Sequence, residues 1–142
     1  MLENGVGVPD ALGHHVQMPL RVLVVDDNWD SATTLGMLLR MVGHDVQTAH
    51  DGVEALRVAG EFRPAVVLLD IGLPKLNGYE TARRLRKEPW GSRVILIATT
   101  GWGQAADRER SSDAGFDHHL VKPVDPTALI QLLASLKQTT AV

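Results

Sequence analysis

Short apolar runs, each ending at a polar or charged residue, alternate with longer amphipathic stretches from residue 20 to residue 136. Residues 22–25 form the first run, and residues 65–69 form the most apolar one. Such runs, separated by stretches with helical spacing, are typical of parallel strands that are buried on both faces and joined by helices. The chain has too few strand and helix pairs for a closed eight-stranded barrel. The pattern therefore predicts an α/β domain with an open, doubly wound sheet.

Helix signals set the boundaries of these units. Apolar residues recur at helical spacing after the first strand, and Gly43 ends that helix. A short helix is predicted over residues 53–59, with Gly60 just beyond it. A further helix is predicted over residues 78–87.

The last two predicted helices differ in the strength of their signals. Asp125 is placed as an N-cap and Pro126 as the first helical residue, so the final helix is well marked. The stretch over residues 104–114 offers few apolar side chains for burial. We therefore expect that helix to be the most weakly held.

Length and composition fit one domain with flanking segments. A chain of 142 residues with 44% hydrophobic content can build one core of ordinary size, but not a second full domain. Residues 1–19 contain Gly and Pro without a helical or strand period, which predicts a flexible leader or linker. Residues 20–138 are expected to form the domain, and residues 139–142 a tail.

Charge and cysteine content argue against several classes of protein. The 14 basic and 17 acidic residues give a formal net charge of -3 without a long basic block, which argues against direct nucleic-acid binding. No DNA-binding output is expected after residue 136. The absence of cysteine excludes disulfides and thiolate metal sites. No signal peptide and no apolar run of about 18 residues is present, so we expect a cytoplasmic protein without direct membrane contact.

Polar side chains directly follow four of the five predicted strands. They are Asp26 and Asp27 after the first strand, Asp70 after the third, Thr99 and Thr100 after the fourth, and Lys122 after the fifth. Because an open parallel sheet binds ligands at the carboxyl ends of its strands, these side chains should meet there. Each residue alone is more often a turn, a helix cap or a solvated surface group. The joint pattern is what indicates a site.

Three carboxylates in one place repel one another and require a cation. Mg²⁺ is favoured because one or two carboxylates, water and a phosphate oxygen complete its ligand set. With Lys122 and a threonine hydroxyl, the ion would hold the three oxygens of a phosphoryl group while the Asp70 carboxylate attacks phosphorus.

The chain resembles the receiver domain of two-component response regulators over about residues 20–136. The segments that carry the resemblance are VVDDN at 24–28, DGVEAL at 51–56, LLDIGLP at 68–74, NGYE at 77–80, AGFD at 114–117 and VKPVD at 121–125. The resemblance implies a flavodoxin-like sheet of five parallel strands in the order 2-1-3-4-5.

The resemblance also implies a role for individual residues. Asp70 would be the phosphoacceptor. Asp27, Asp70 and the backbone carbonyl of Gly72 would bind Mg²⁺ directly, and Asp26 would bind it through water. Lys122 would pair with Asp70 or with its phosphoryl oxygens, and its bond to the following proline would be cis.

The switch residues of the family fall on a threonine and a histidine in this chain. The switch hydroxyl of the family precedes a small residue, which assigns it to Thr100, before Gly101, and leaves Thr99 to packing. The aromatic switch position of the family falls on His119, which either swings inward on phosphorylation or is an ordinary surface histidine. Phosphorylation would change the surface formed by residues 104–114, the last strand and the last helix.

The resemblance also implies a class of phosphoryl donor and a slow loss of the phosphoryl group. A histidine kinase or a histidine phosphotransfer protein would supply the phosphoryl group to a monomer or a weak, phosphorylation-dependent dimer. The chain would be a signalling receiver that catalyses its own phosphorylation and dephosphorylation, either alone or within a hybrid sensor histidine kinase. Gly72 and Trp102 would flank the phosphoryl group without side chains suited to orienting water, which predicts slow self-dephosphorylation.

Two rival functions fit the residues less well. A phosphatase or phosphotransferase with an aspartyl-phosphate would place an acidic residue two positions after Asp70, where Gly72 stands. A flavodoxin would need a phosphate loop rich in Gly, Ser and Thr after the first strand, and Asp26 and Asp27 would repel that phosphate.

Overall fold

The computed structural model describes residues 19–101 and 112–140, with side chains up to residue 136 in the last helix. The strands are β1 (Arg21–Val25), β2 (Asp45–Ala49), β3 (Val66–Asp70), β4 (Ile95–Thr100) and β5 (His118–Val121). The helices are α1 (Trp29–Met41), α2 (Gly52–Phe62), α3 (Gly78–Lys87) and α4 (Pro126–Thr140), with a 3₁₀ turn at Gly91–Arg93. The predicted leader up to residue 18, and residues 104–111 of the weak helix, lie outside the described residues; residues 112–114 are helical.

Within the described residues, the strands form one five-stranded sheet in the order β2-β1-β3-β4-β5, and every pairing is parallel. The predicted fold class and strand order are therefore confirmed. Parallel pairing brings the last residues of all five strands to one end of the sheet, which we call the carboxyl end. The opposite end, where the strands begin, is called the amino end.

Both faces of the sheet are covered by apolar side chains because successive strand residues point to opposite sides. Leu69 and Leu96 lie in the core under α2 and α3, and Leu68 and Ile97 lie in the core under α1 and α4. All five residues of β3 are buried. The central strand is thus fixed on both faces, and it ends at Asp70.

The helix ends follow local backbone rules and correct one predicted boundary. α1 ends before Gly43, whose φ is 104°, as predicted. The prediction that α2 stops at residue 59 is wrong, because Gly60 lies inside the helix and Arg63 forms a left-handed C-cap with φ 52°. The additional turn places Phe62 against the core, so it buries apolar surface that a shorter helix would leave exposed.

The last helix begins as predicted. It starts at Pro126, and the side chain of Asp125 accepts a hydrogen bond from the backbone amide of Thr127. Leu129 and Leu133 of this helix are fully buried against the sheet. No helix within the described residues, this one included, has the length and apolar content needed to cross a membrane.

Candidate acidic metal centre

Three carboxylates converge at the carboxyl end of the sheet. One oxygen from each of Asp26, Asp27 and Asp70 lies within 4.8 Å of the others. The first two residues follow β1 and Asp70 ends β3, so the parallel pairing of these two strands brings them together. Asp26 and Asp70 are buried, whereas Asp27 is exposed. The acidic cluster expected from the strand ends is present.

Lys122 places its ammonium group between the two buried carboxylates. Its Nζ donates a hydrogen bond to Asp70 Oδ2 at 2.9 Å and lies 3.1 Å from Asp26 Oδ2. The Lys122–Pro123 peptide bond is cis, as the resemblance implied. Partial burial lowers the pKa of the Lys122 ammonium, but the bonds to Asp70 and Asp26 outweigh this effect and hold the pKa above its ordinary value.

Backbone amides hold the other oxygen of each buried carboxylate. The Asn28 amide donates to Asp26 Oδ1 at 2.9 Å, and the Gly72 amide donates to Asp70 Oδ1 at 3.0 Å. Both carboxylates are therefore fixed at two points before any ligand binds. The structure places Gly72 beside Asp70, and the role of its carbonyl as a metal ligand stays a prediction.

The pKa of Asp27 is raised above the usual value of a carboxyl group. Desolvation is the largest cause, and the negative charges of Asp70 and Asp26 add to it. A divalent cation would relieve this repulsion. A cluster of carboxylate oxygens is the donor set that a hard cation such as Mg²⁺ prefers, so the residues fit the predicted ion.

The two threonines at the end of β4 have different surroundings. Thr99 lies opposite Asp70 in the strand register and lines a cavity together with Asp26 and Lys122. The Thr100 hydroxyl is buried and has no hydrogen-bond partner among the described residues. A buried hydroxyl without a partner is unfavourable, so it suits a ligand oxygen that binds later. This supports Thr100 as the switch hydroxyl, and the assignment stays a prediction.

Two further residues were predicted to act near the phosphoryl group, the switch residue His119 and Trp102. His119 is half-buried on β5, beside Ala98 of β4. Its two alternative roles both remain open. Trp102, which was predicted to flank the phosphoryl group, lies outside the described residues, so its role stays a prediction.

Gly78 is a positioning residue to which the sequence pattern assigned no role. A Cβ atom added there would lie 2.5 Å from the Asp70 carbonyl oxygen and 2.6 Å from Ile71 Cα. The first turn of α3 therefore approaches the end of β3 so closely that only glycine fits. The Asn77-Gly78 pair was visible as a helix start, but no pattern in the sequence shows which backbone the glycine meets.

A stacked aromatic pair was also not predicted from the sequence. The rings of Trp29 and His50 stack with centroids 3.4 Å apart and an interplanar angle of 9°. Trp29 is the first residue of α1 and is 66% exposed. The pair joins the start of α1, two residues after Asp27 in the sequence, to the loop after β2. The two residues are far apart in the sequence, and neither belongs to a recognisable motif.

The strand order and the lysine-bridged acidic cluster define a CheY-like α/β domain. The chain belongs to the response regulator receiver domain family, whose model matches residues 22–134. It is accordingly a signalling domain of two-component systems.

Individual relatives agree with this assignment. The chain is 33% identical to the receiver domain of sensor histidine kinase PA1611 from Pseudomonas aeruginosa, with a TM-score of 0.76 over 84% of this chain and 98% of that one. That crystal structure has a magnesium ion coordinated in the active site cleft. The chemotaxis response regulator CheY4 of Vibrio cholerae is 27% identical, with a TM-score of 0.77 over 84% of this chain and 99% of that one.

The curated relatives are longer than this chain. The DNA-binding dual master transcriptional regulator RpaA of a Synechocystis species is 31% identical over 120 residues, which cover 84% of this chain and 50% of that protein. The chain therefore spans about half the length of the curated relatives it matches. The expectation that these residues contact no nucleic acid stays a prediction.

Proposed function

We propose that the chain accepts a phosphoryl group on Asp70 from the phosphohistidine of a cytoplasmic histidine kinase or histidine phosphotransfer protein. Mg²⁺ would be bound by Asp27, Asp70 and the Gly72 carbonyl, and by Asp26 through water. The observation that carries the proposal is the Lys122 ammonium, which contacts both Asp70 and Asp26 inside an acidic cluster. A cation held among carboxylates provides the contacts that an incoming phosphoryl group needs.

The geometry suits Asp70 as the nucleophile. The Gly72 amide and Lys122 each hold one of its oxygens, so the carboxylate cannot rotate freely. In the transfer, an Asp70 oxygen forms a bond to phosphorus while the bond from phosphorus to the imidazole nitrogen breaks. The electron pair of that bond stays on the imidazole. Mg²⁺, when bound, offsets the negative charge of the phosphoryl oxygens.

Two further side chains would respond to the new dianion. Lys122 would exchange one of its carboxylate contacts for a contact with a phosphoryl oxygen. The Thr100 hydroxyl would donate a hydrogen bond to a second phosphoryl oxygen. Thr100 ends β4, so its movement would be passed to the following loop and from there to β5 and α4, which residues 104–114 are expected to join in one surface. His119 lies on β5 within this surface.

The donor would approach through a cavity beside the acidic centre. The cavity has a volume of about 620 Å³ and lies between α1 and the loop from β5 to α4. Leu35, Leu38 and Pro123 give it apolar walls, and Asp26 and Lys122 lie at its polar side. A partner helix would insert an apolar side chain here while its phosphohistidine faces Asp70. Slow self-dephosphorylation belongs to the same proposal, since Gly72 brings no polar side chain to orient water.

Phosphorylation by phosphoramidate tests the proposal, because this small donor contains the same phosphorus–nitrogen bond as phosphohistidine. With Mg²⁺, the intact mass of the wild type should increase by one phosphoryl group, and Asp70→Asn should show no increase. Asp45→Asn is the matched control, because Asp45 is an exposed aspartate at the start of β2. No gain by the wild type, or an equal gain by Asp70→Asn, would show that the proposal is wrong.

A further inference from the structure

A second cavity lies at the amino end of the sheet, far from the acidic centre. It has a volume of about 710 Å³, which is within the range of small-ligand sites. Its polar groups come from Arg21, Arg63 and Arg93, and Trp90 forms part of its wall. Its apolar floor comes from the starts of β3 and β4 and from the last helix. No acidic residue is found among the described residues that line it.

The arginines of this cavity differ from the other described arginines. Four of those elsewhere form ion pairs with carboxylates of the protein: Arg57, Arg83, Arg84 and Arg86. The three cavity arginines form no ion pair with any described residue, and Asp45, opposite Arg21 in the strand register, does not pair with it. Neighbouring like charges repel one another, so an anion from outside would stabilise this arrangement.

Local contacts orient two of the three guanidinium groups. Arg21 Nε donates to the Arg63 carbonyl at 3.0 Å, and Arg63 Nε donates to the Gly60 carbonyl at 2.8 Å. The Arg63 guanidinium also lies 5.3 Å from the centre of the Trp90 ring. Each of these bonds uses only Nε, so the terminal nitrogens of both side chains keep their donors for a ligand. Paired donors on a planar guanidinium match the oxygens of a phosphate group.

We propose that this cavity binds a small phosphorylated ligand with a planar ring, of the nucleotide class. The phosphates would contact Arg21, Arg63 and Arg93, and the ring would lie against Trp90 and the apolar floor. A bare inorganic anion would leave the floor unfilled, and an uncharged apolar ligand would leave the arginines unpaired. The proposal does not depend on phosphorylation of Asp70, because the two sites lie at opposite ends of the sheet.

Calorimetric titration of the full chain with ADP tests this site. The titration is done at low ionic strength, which limits the screening of the arginines. Mg²⁺ is left out, because an ion bound at the acidic centre would attract the phosphates there. The wild type should bind one ADP, and the double variant Arg21→Gln/Arg93→Gln should bind it at least about tenfold more weakly. Arg84→Gln is the matched control and should bind as the wild type does, because Arg84 is paired with Glu80 outside the cavity.

Two further titrations separate the parts of the proposal. Pyrophosphate should bind at least about tenfold more weakly than ADP, because it has no ring to cover Trp90 and the apolar floor. Asp70→Asn should bind ADP as the wild type does. No binding of ADP by the wild type, an equal loss in Arg84→Gln, or equal affinity for pyrophosphate and ADP would overturn the proposal.

Discussion

The two ends of the sheet carry opposite charges and hold them in different ways. At the carboxyl end, the carboxylates of Asp26 and Asp70 share the Lys122 ammonium, and each has a second bond to a backbone amide. At the amino end, Arg21 and Arg93 share a cavity with Arg63, and none of the three forms an ion pair with a described carboxylate. The carboxylates of the carboxyl end are thus held in place by the protein, and Lys122 neutralises part of their charge. The arginines of the amino end are exposed, and the proposed ligand would supply their counter-charge.

The largest effect is expected on the rate of phosphorylation when the lysine of the acidic centre is replaced, compared with a lysine near the amino end. Lys122→Met should lower the initial rate of phosphorylation by phosphoramidate about 100-fold, because it removes a preorganised positive charge from the phosphoryl site. Lys87→Met should leave the rate unchanged. Lys87 is an exposed lysine in the last turn of α3, which runs from the carboxyl end towards the amino end. Equal rates for the two variants would mean that Lys122 does not act on the phosphoryl group.

The second comparison concerns the backbone. Gly78→Ala should lower the free energy of unfolding by about 2 kcal/mol, since the new Cβ would collide with the carbonyl of Asp70. Gly60→Ala is the control, because a Cβ at Gly60 meets no atom within 4 Å. That change should be neutral or should stabilise α2 by up to about 1 kcal/mol. Urea denaturation measures both, and similar values would show that the carboxyl end is no more tightly packed than the helix near the amino end.

The smallest expected effect is that of Mg²⁺ on stability. At ten times its Kd, Mg²⁺ should raise the free energy of unfolding of the wild type by about 1.4 kcal/mol, because it binds the folded acidic centre. Asp27→Asn should lose most of this stabilisation. Asp45→Asn, which removes a carboxylate at the amino end, should keep it. Thermal unfolding with and without Mg²⁺ is the measurement, and a full response in Asp27→Asn would contradict the assignment of this ligand.

The raised pKa of Asp27 gives the same experiment a pH dependence. A carboxyl group whose pKa is higher in the folded state destabilises that state when it is ionised. Without Mg²⁺, Asp27→Asn should therefore be more stable than the wild type at neutral pH. The difference should shrink as the pH falls through the raised pKa towards the ordinary range of a carboxyl group. A difference that grows on acidification would contradict the sign of the shift.

The carboxyl end could be predicted from the sequence because its residues directly follow the strands. Once β1 and β3 are parallel neighbours, Asp26 and Asp70 must lie at the same end. The cation from β5 was predictable for the same reason. The strand order itself came from a resemblance to a family, since local patterns alone do not specify which strands are neighbours.

Contacts between distant segments could not be predicted in this way. Gly60 suggested a helix end, yet α2 continues because Arg63 takes the left-handed conformation and Phe62 packs on the core. The cavity of the amino end combines Arg21, the first residue of β1, with Arg93, which lies shortly before β4, and the two share no motif. Patterns along the chain indicate where each element begins and ends, but the close approaches between elements depend on packing.

The contact of Lys122 with two carboxylates has a consequence for the charge balance of the whole cycle. Three carboxylates and one ammonium leave the resting cluster with two net negative charges. A divalent ion would bring this sum to zero. An acyl phosphate on Asp70 would replace one carboxylate charge with a phosphoryl dianion, so the sum would become negative again. The net charge of the carboxyl end would thus alternate between neutral with the ion bound and negative after phosphorylation. A partner protein that distinguishes the two states could respond to this charge as well as to the shape of the surface.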